Sequence, residues 1–250
     1  MIVRVHLDDG RPVPFLLDTG ANGSAILESL VTSLRLPIVA QTTVASAIGQ
    51  KARLVTRIEH LAMGGVSVND ILATVMPDED FAWPDADGGR VQGIVGQDVL
   101  GALRYTIDYR ARRIIIRDLA GEVPRHAAVL TLEPCDDRFL VVLPQGRSTL
   151  RLVPDSGSEG LVLFPRDDRA KSPITLTGRA TLSGVTGSRE AMMGRLNVLH
   201  IGETRLTDVP VVIVDRAATV QGADGLLPLH IFARVTFNGP ERQLVIESRF

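Results

Sequence analysis

Two aspartates in this chain stand where an apolar run ends, and each is followed by a hydroxyl residue and a glycine. The first is Asp18 in FLLDTGA (residues 15–21), and the second is Asp155 in RLVPDSGS (residues 151–158). Glycine permits a tight turn and leaves its N–H free to bond a carboxylate, while the hydroxyl can tie the turn to a neighbouring segment. Each motif therefore predicts a carboxylate presented on a sharply turned loop.

Two such loops favour a specific chemistry if they meet. Carboxylates a few ångströms apart cannot both ionise cheaply, so they share one proton and titrate as a pair. One residue type then supplies both an acid and a base. A single motif of this kind is a weak signal, and the interpretation depends on the two lying at equivalent places in the fold.

The chain repeats itself at about half its length, which supplies that equivalence. The aspartates are 155 − 18 = 137 residues apart. Residues 93–100 match residues 225–232, and both segments precede a strand, a turn and another strand. Between these landmarks, the residues that recur at an offset of 138 are Arg57, Leu61, Gly64 and Asp70, matched by Arg195, Leu199, Gly202 and Asp208. We interpret this as a duplicated unit; the alternative is two unrelated stretches of generic β sequence.

The elements that would position the aspartates are mostly strands. Segments rich in Val, Ile, Leu and Thr alternate with glycine-containing turn signals, which predicts an all-β fold with one or two short helices. Residues 24–34 are predicted as one helical stretch, and residues 97–103 and 229–233 as a turn or two. We expect two pseudo-symmetric lobes, residues 1–125 and 126–250.

Each half is also predicted to contain a hairpin. Residues 47–63 are interpreted as a hairpin with Ile48 and Gly49 near its tip, and residues 185–201 as its counterpart with Thr186 and Gly187 at the tip.

These motifs resemble the pepsin and retropepsin superfamily of aspartic peptidases over nearly the whole chain. Besides the two aspartate loops, the apolar-apolar-Gly element at Ile94, Val95 and Gly96 is similar to the family's support of the catalytic loop. The single cysteine, Cys135, the short lobes and the Asp-Thr-Gly-Ala motif resemble bacterial retropepsin-like proteins more than secreted pepsins. The resemblance implies a bilobal acid-protease fold.

The resemblance also implies a role for each site residue. Asp18 and Asp155 would be catalytic, activating a water between them in an inter-lobe cleft. A peptide or protein substrate would lie there as an extra strand, and neither metal nor organic cofactor is required. The supporting residues would be Thr19, Gly20, Ser156 and Gly157 in the loops, and the flap residues Ile48, Gly49, Thr186 and Gly187 above the substrate.

Two prolines depart from the family pattern, and both are in the second half. Pro154 precedes Asp155 where a residue with a free N–H is usual, which predicts a slightly displaced second loop. Pro228 stands where Gly96 stands in the first half. Two alternatives to a single-chain peptidase therefore stay open: a catalytically weak or inactive peptide-binding or assembly module, or a homodimer in which only the first lobe is competent and Asp18 pairs with its counterpart. The expected active state is a monomer.

Composition argues against other classes of protein. The net charge is −2 and the basic residues are scattered, so no nucleic-acid partner is expected. The five histidines form no His-Glu-x-x-His pair or cluster with cysteine, so no metal site is predicted. No apolar run reaches 18 residues and residues 1–7 do not resemble a signal peptide, so no membrane segment is expected. The location is cytoplasmic by default, or periplasmic if a signal was trimmed.

Overall fold

A computed structural model describes residues 1–8, 10–46, 49–80, 83–84, 88–117, 123–164, 174–184, 186–214 and 222–249. The strands of the first half are β1 (Ile2–His6), β2 (Pro12–Leu17), β3 (Ala25–Leu27), β4 (Ile38–Ser46), β5 (Gly49–Met63), β6 (Val66–Met76), β7 (Gly93–Val95), β8 (Arg104–Asp108) and β9 (Arg113–Arg117). Those of the second half are β10 (Ala128–Cys135), β11 (Arg138–Gln145), β12 (Ser148–Asp155), β13 (Leu161–Leu163), β14 (Ile174–Gly184), β15 (Gly187–Ile201), β16 (Thr204–Ile213), β17 (Gly225–Pro228), β18 (Arg234–Asn238) and β19 (Gln243–Glu247). The helices are α1 (Glu28–Leu34) and α2 (Gln97–Leu100), with 3₁₀ turns at Asp78–Asp80 and Leu229–Ile231.

The two halves share one strand order. The first forms a seven-stranded sheet in the order β1-β2-β7-β3-β6-β5-β4, and the second repeats it as β11-β12-β17-β13-β16-β15-β14 within a larger sheet. The directions also match: β2–β7 and β12–β17 are parallel, as are β3–β6 and β13–β16. The predicted duplication and the mostly-β, two-lobed fold are therefore confirmed.

Local details repeat with the topology. Asp70 and Asp208 both adopt a left-handed backbone, with φ of 62° and 54°. Arg57 binds the first of these aspartates at 3.0 Å, and Arg195 binds the second in the same way. An arginine thus holds a left-handed aspartate at the same place in each half.

A sheet between the lobes joins the two halves. The 12-stranded sheet continues from β11 through β10, β19 and β18 to β8 and β9, so strands of the first half pair with strands of the second. At its centre the hydroxyls of Thr106 and Thr236 face each other at 2.8 Å, and these residues are directly paired in the β8–β18 ladder. Because Thr106 and Thr236 hold equivalent places in the repeat, the pseudo-two-fold axis passes between them. The lobe bounds 1–125 and 126–250 stay a prediction.

The main hydrophobic core also runs through both halves. One cluster of buried side chains includes Phe15 and Ile58 from the first half and Leu152 and Leu199 from the second, all fully buried. Tyr105 in β8 stacks on Phe237 in β18, with ring centroids 4.9 Å apart, a packing that adds to the burial of their apolar surface.

The first predicted helix is shorter than expected. Of residues 24–34, Ala25–Leu27 form β3 and the helix begins only at Glu28. All three residues of β3 are buried and pair with β6, and Ala25 and Ile26 also pair with β7, so sheet pairing overrides local helix propensity there. The predicted turns near residues 97–103 and 229–233 are confirmed as α2 and the 3₁₀ turn at Leu229–Ile231.

The predicted hairpins were wrong in extent. Residues 49–63 form a single 15-residue strand, β5, whose hairpin partner at the tip is the preceding strand β4. In the second half, β15 pairs in the same way with β14. The prediction covered only one arm because most of β4 is exposed and shows no apolar alternation. Gly49, Thr186 and Gly187 do lie at the tips, whereas Ile48 lies outside the described residues.

Within the part of the chain that the structure describes, no helix is long and apolar enough to cross a membrane.

Candidate active site

The two aspartate loops pack directly against each other. A Cβ built on Gly20 would lie 2.6 Å from Cγ of Asp155, and one built on Gly157 would lie 2.9 Å from Cγ of Asp18. The two carboxyl groups are also close enough for each to influence the pKa of the other. The structure thus brings together both predicted acids and both glycines, and only glycine fits at either contact.

Backbone N–H groups orient each carboxyl group. Oδ1 of Asp18 accepts a hydrogen bond from Gly20 N at 2.9 Å. Oδ1 of Asp155 accepts two, from Gly157 N at 2.7 Å and from Ser158 N at 2.9 Å. Each turn therefore bonds its own acid, as the glycine after each aspartate predicted.

Thr19 and Ser156 connect the loops through four reciprocal hydrogen bonds. Thr19 Oγ1 donates to the carbonyl of Pro154 at 2.8 Å and accepts from Ser156 N at 3.0 Å. Ser156 Oγ donates to the carbonyl of Leu17 at 2.7 Å and accepts from Thr19 N at 3.1 Å. The two hydroxyls hold the loops in one relative position.

Pro154 is compatible with this arrangement because the connection uses its carbonyl rather than its missing N–H. In the first half, Leu17 N donates to the carbonyl of Met1 at 2.8 Å, a bond that proline cannot make. The ladder between β11 and β12 has its last pair at Leu152, so Pro154 lies beyond that ladder and interrupts none of its pairs. The expected displacement of the second loop is not needed to accommodate the proline.

Helix α2 supports the first loop but has no equivalent in the second. Gln97 Nε2 donates to the carbonyl of Thr19 at 2.8 Å, and the Asp98 carboxylate accepts from Ser24 N at 2.9 Å and Ser24 Oγ at 2.8 Å. Leu229 and His230 stand at the matching places in the second half. Leucine cannot make the bond that Gln97 makes, so the two loops are supported unequally.

Arg138, in β11 of the second half, reaches across to the first loop. Its Nε donates to the carbonyl of Gly20 at 2.8 Å, and its Nη2 donates to Oδ1 of Asn22 at 3.4 Å. Its guanidinium is close enough to Asp18 and Asp155 to interact with both charges. Arg138 therefore fixes the turn that orients Asp18.

Burial makes both acids reluctant to ionise. Asp155 retains 8% of its accessible surface and Asp18 is half-buried. Burial is the largest cause that raises the pKa of Asp155 well above its usual range, and the adjacent charge of Asp18 raises it further. Burial likewise raises the pKa of Asp18, while hydrogen bonds from Gly20 and Asp155 act in the opposite direction. The pair thus favours a state with one shared proton.

The hairpin tips of the two halves touch each other. Ser46 Oγ, at the end of β4, lies 2.5 Å from Thr186 Oγ1, which directly precedes β15. A Cβ on Gly49 would lie 3.8 Å from the same hydroxyl, and Gly187 adopts a φ of 129° that favours glycine. The structure therefore brings three of the four predicted tip residues to one place.

Several residues of this site were not predicted from the sequence. Gln97 and Asp98 directly follow Gly96 in a recognised motif, so their polar character was an available signal. Ser24 lies in a segment predicted as helix, and Arg138 lies 17 residues before Asp155 with no local pattern around it.

Comparison with protein-family models gives a match in both halves of the chain. A family model described as "Aspartyl protease" matches residues 3–99 and 142–229, which together cover more than half of the chain. One matched stretch contains Asp18 and the other contains Asp155. No curated protein shows significant similarity to the chain.

Proposed function

The chain belongs to the aspartyl protease family, and from that premise we propose that it is an endopeptidase with Asp18 and Asp155 as its catalytic pair. The observation that carries this proposal is the mutual packing of the two loops, in which each glycine contacts the carboxyl group of the other loop. Such a contact needs both acids at one point, which a purely structural turn does not require.

In the proposed mechanism, the ionised member of the pair takes a proton from a water held between the two carboxyl groups. The water oxygen attacks the carbonyl carbon of the scissile bond, while the protonated member donates a hydrogen bond to the carbonyl oxygen. Collapse of the tetrahedral intermediate breaks the C–N bond, and a carboxyl proton goes to the leaving amine. Water is consumed, and no metal or organic cofactor is required.

The substrate would lie in a cleft between the lobes as an added strand, held by main-chain hydrogen bonds. The hairpins β4–β5 and β14–β15 would cover it as flaps. The contact between Ser46 and Thr186 supports this role because it joins the tips of the two hairpins. A cover of this kind excludes water and completes the site.

The proposed active species is a monomer. Both acids come from one chain and their loops already pack against each other, so a second copy is not needed to assemble the pair. Sedimentation velocity of the active enzyme should show a single species of 27.0 kDa.

The alternative is a peptide-binding or assembly module with weak or no catalysis. It is favoured by one observation, the unequal support of the loops, since Leu229 cannot replace Gln97 behind the second aspartate.

Cleavage of an unspecific peptide library separates the two. Wild-type protein should cleave it and a statine-type transition-state analogue should inhibit the reaction. Asp18→Asn and Asp155→Asn should each lose cleavage while keeping the fold, and the matched control Asp208→Asn, on an exposed strand, should keep it. Unchanged turnover in either of the first two variants would refute the mechanism.

A further inference from the structure

A cavity of about 350 Å³ opens beside the second aspartate loop. Ser156 and Gly157 form part of its wall, so it borders the proposed catalytic centre. Its apolar lining comes from the first half of the chain and includes Ile2, Leu16 and Trp83. An apolar space at this position would receive a substrate side chain close to the scissile bond.

The cavity also contains one uncompensated carboxylate. Glu159 lines it, is exposed, and has neither an ion pair nor a hydrogen bond to any residue that the structure describes. The nearby guanidinium of Arg249 is already bound to the carbonyls of His230 and Phe232. His230 also lines the cavity. Glu159 is therefore the described carboxylate best placed to meet a ligand there.

The pseudo-symmetry shows that the two ends of the site differ in charge. Glu159 and Asn22 hold equivalent places, four residues after Asp155 and Asp18 respectively. At the Asn22 end the chain supplies its own cation, because Arg138 donates to the Asn22 side chain at 3.4 Å. One end thus presents a guanidinium and the other a carboxylate, so the site can distinguish the charges of substrate side chains.

We propose that this cavity selects a lysine or arginine side chain of the peptide substrate, with Glu159 as the specificity-determining residue; the inference rests on the proposed peptidase function. The methylene stem of such a side chain packs on the apolar walls while its cationic head reaches the carboxylate. The face of Trp83 adds a cation–π contact. An apolar side chain would pack on the same walls but would gain no binding energy from Glu159.

A second open cavity adds to the negative character of this region. It shares Trp83 and Pro84 with the first, and Asp78 and Glu79 line it. Arg90 lies 3.8 Å from Asp78 and compensates part of that charge. Carboxylates on both sides of Trp83 favour the approach of a cation.

The test measures binding to peptides with a non-cleavable statine core, identical except for lysine, norleucine or glutamate placed in turn at three positions on each side. Affinities for the wild-type protein are measured by calorimetry at pH 7. At one position the lysine peptide should bind about tenfold tighter than the norleucine peptide, as expected for an ion pair with a cation–π contact. Glu159→Gln should remove this preference, Glu159→Lys should shift it toward glutamate, and the control Glu203→Gln, in the exposed turn before β16, should keep it.

Each outcome separates the two proposals. Tight binding with no preference for lysine at any position, or a preference that survives in Glu159→Gln, overturns the role of Glu159 and leaves the peptidase proposal standing. Absence of both statine-peptide binding and library cleavage in the wild-type protein overturns the proposed function, and this inference with it.

Discussion

Asp18 and Asp155 are each held by groups from the other half of the chain. Thr19 bonds the carbonyl next to Asp155, Ser156 bonds the carbonyl next to Asp18, and Arg138 anchors the turn of the first loop. Buried carboxyl groups fixed in this way are raised in pKa and cannot move apart to relieve their repulsion. The geometry that favours proton sharing therefore has a cost in stability.

This cost predicts that the free energy of unfolding depends on pH. Because the folded pKa of Asp155 lies well above its ordinary value of 3.8, the folded state binds more protons than the unfolded chain above that value. The free energy of unfolding should fall as pH rises from 3.8 through the raised pKa. Asp155→Asn removes the loss of stability that ionisation of Asp155 causes. The variant should therefore be more stable than the wild type toward neutral pH, and the difference should vanish below pH 3.8.

Urea denaturation across the pH range measures this difference. Asp208→Asn is a control for which stability should depend on pH in the opposite direction, because the hydrogen bond from Arg195 lowers the pKa of Asp208. Its contribution is lost as pH falls, and it is small because the pair is exposed. A parallel pH profile for Asp155→Asn and the wild type would contradict the burial of a shared proton.

The hydrogen bonds that Thr19 and Ser156 make between the two loops predict that removing one hydroxyl lowers both stability and turnover. Thr19→Val keeps the shape of the side chain but removes its bonds to Pro154 and Ser156, and should cost about 1–3 kcal/mol of unfolding free energy together with a lower kcat. Thr106→Val is the matched control, since it breaks a different hydroxyl contact between the halves, that with Thr236. It should cost stability and leave kcat unchanged. Full turnover in Thr19→Val would show that the connection does not position the acids.

At the scale of elements, the two hairpins contact each other at their tips and α2 supports one aspartate loop. The hairpins β4–β5 and β14–β15 belong to the sheets that carry Asp18 and Asp155, and their tips meet through side-chain hydroxyls. Helix α2 has only four residues, yet its first turn supports one aspartate loop from behind.

The tip contact predicts faster opening when a hydroxyl is removed. Thr186→Val deletes the bond to Ser46 and should speed backbone amide exchange near the tips of β4–β5 and β14–β15, and raise KM. Thr181→Val, in the same hairpin on an exposed position of β14, should leave exchange at the tips unchanged. Equal exchange in both variants would mean that the hydroxyl contact does not keep the tips closed.

Because α2 approaches the first loop closely, we expect that Gly96 cannot be replaced by a residue with a side chain without loss of stability. A Cβ there would lie 2.5 Å from the backbone carbonyl of Gly23, so Gly96→Ala should cost about 1–3 kcal/mol through overpacking. Gly178→Ala, in β14, has no heavy atom within 4 Å of the new Cβ and should change stability by less than about 0.5 kcal/mol. Thermal unfolding of both variants measures the difference.

The sequence was most informative where a motif occurs twice. The repeated Asp-Thr/Ser-Gly turns predicted both acids and their loops, because turn chemistry acts over a few residues. The polar supports were missed for a physical reason: Arg138 contacts Gly20 across 118 positions of the chain, and no local periodicity encodes such a contact. The arm β4 was missed because its exposed residues lack the apolar alternation that marks a half-buried strand.

At the scale of the whole molecule, the lobes are joined too extensively to behave as separate units. The ladder between β8 and β18 runs over five residue pairs, and the main core contains side chains from both halves. We expect calorimetry to show one unfolding transition, with equal calorimetric and van't Hoff enthalpies. Two resolved transitions would mean that each lobe is stable alone.

The contact of each loop glycine with the opposite acid limits how the sequences of the two repeats can diverge. Gly20 touches the carboxyl group of Asp155 and Gly157 that of Asp18, so a side chain gained in one repeat would push aside the acid of the other. Neither repeat can change by itself at these four positions, although it is free to do so at exposed positions that the other repeat does not contact. Substitutions that survive in one loop should therefore be those compensated in the other, a covariation that deep mutational scanning of residue pairs would detect.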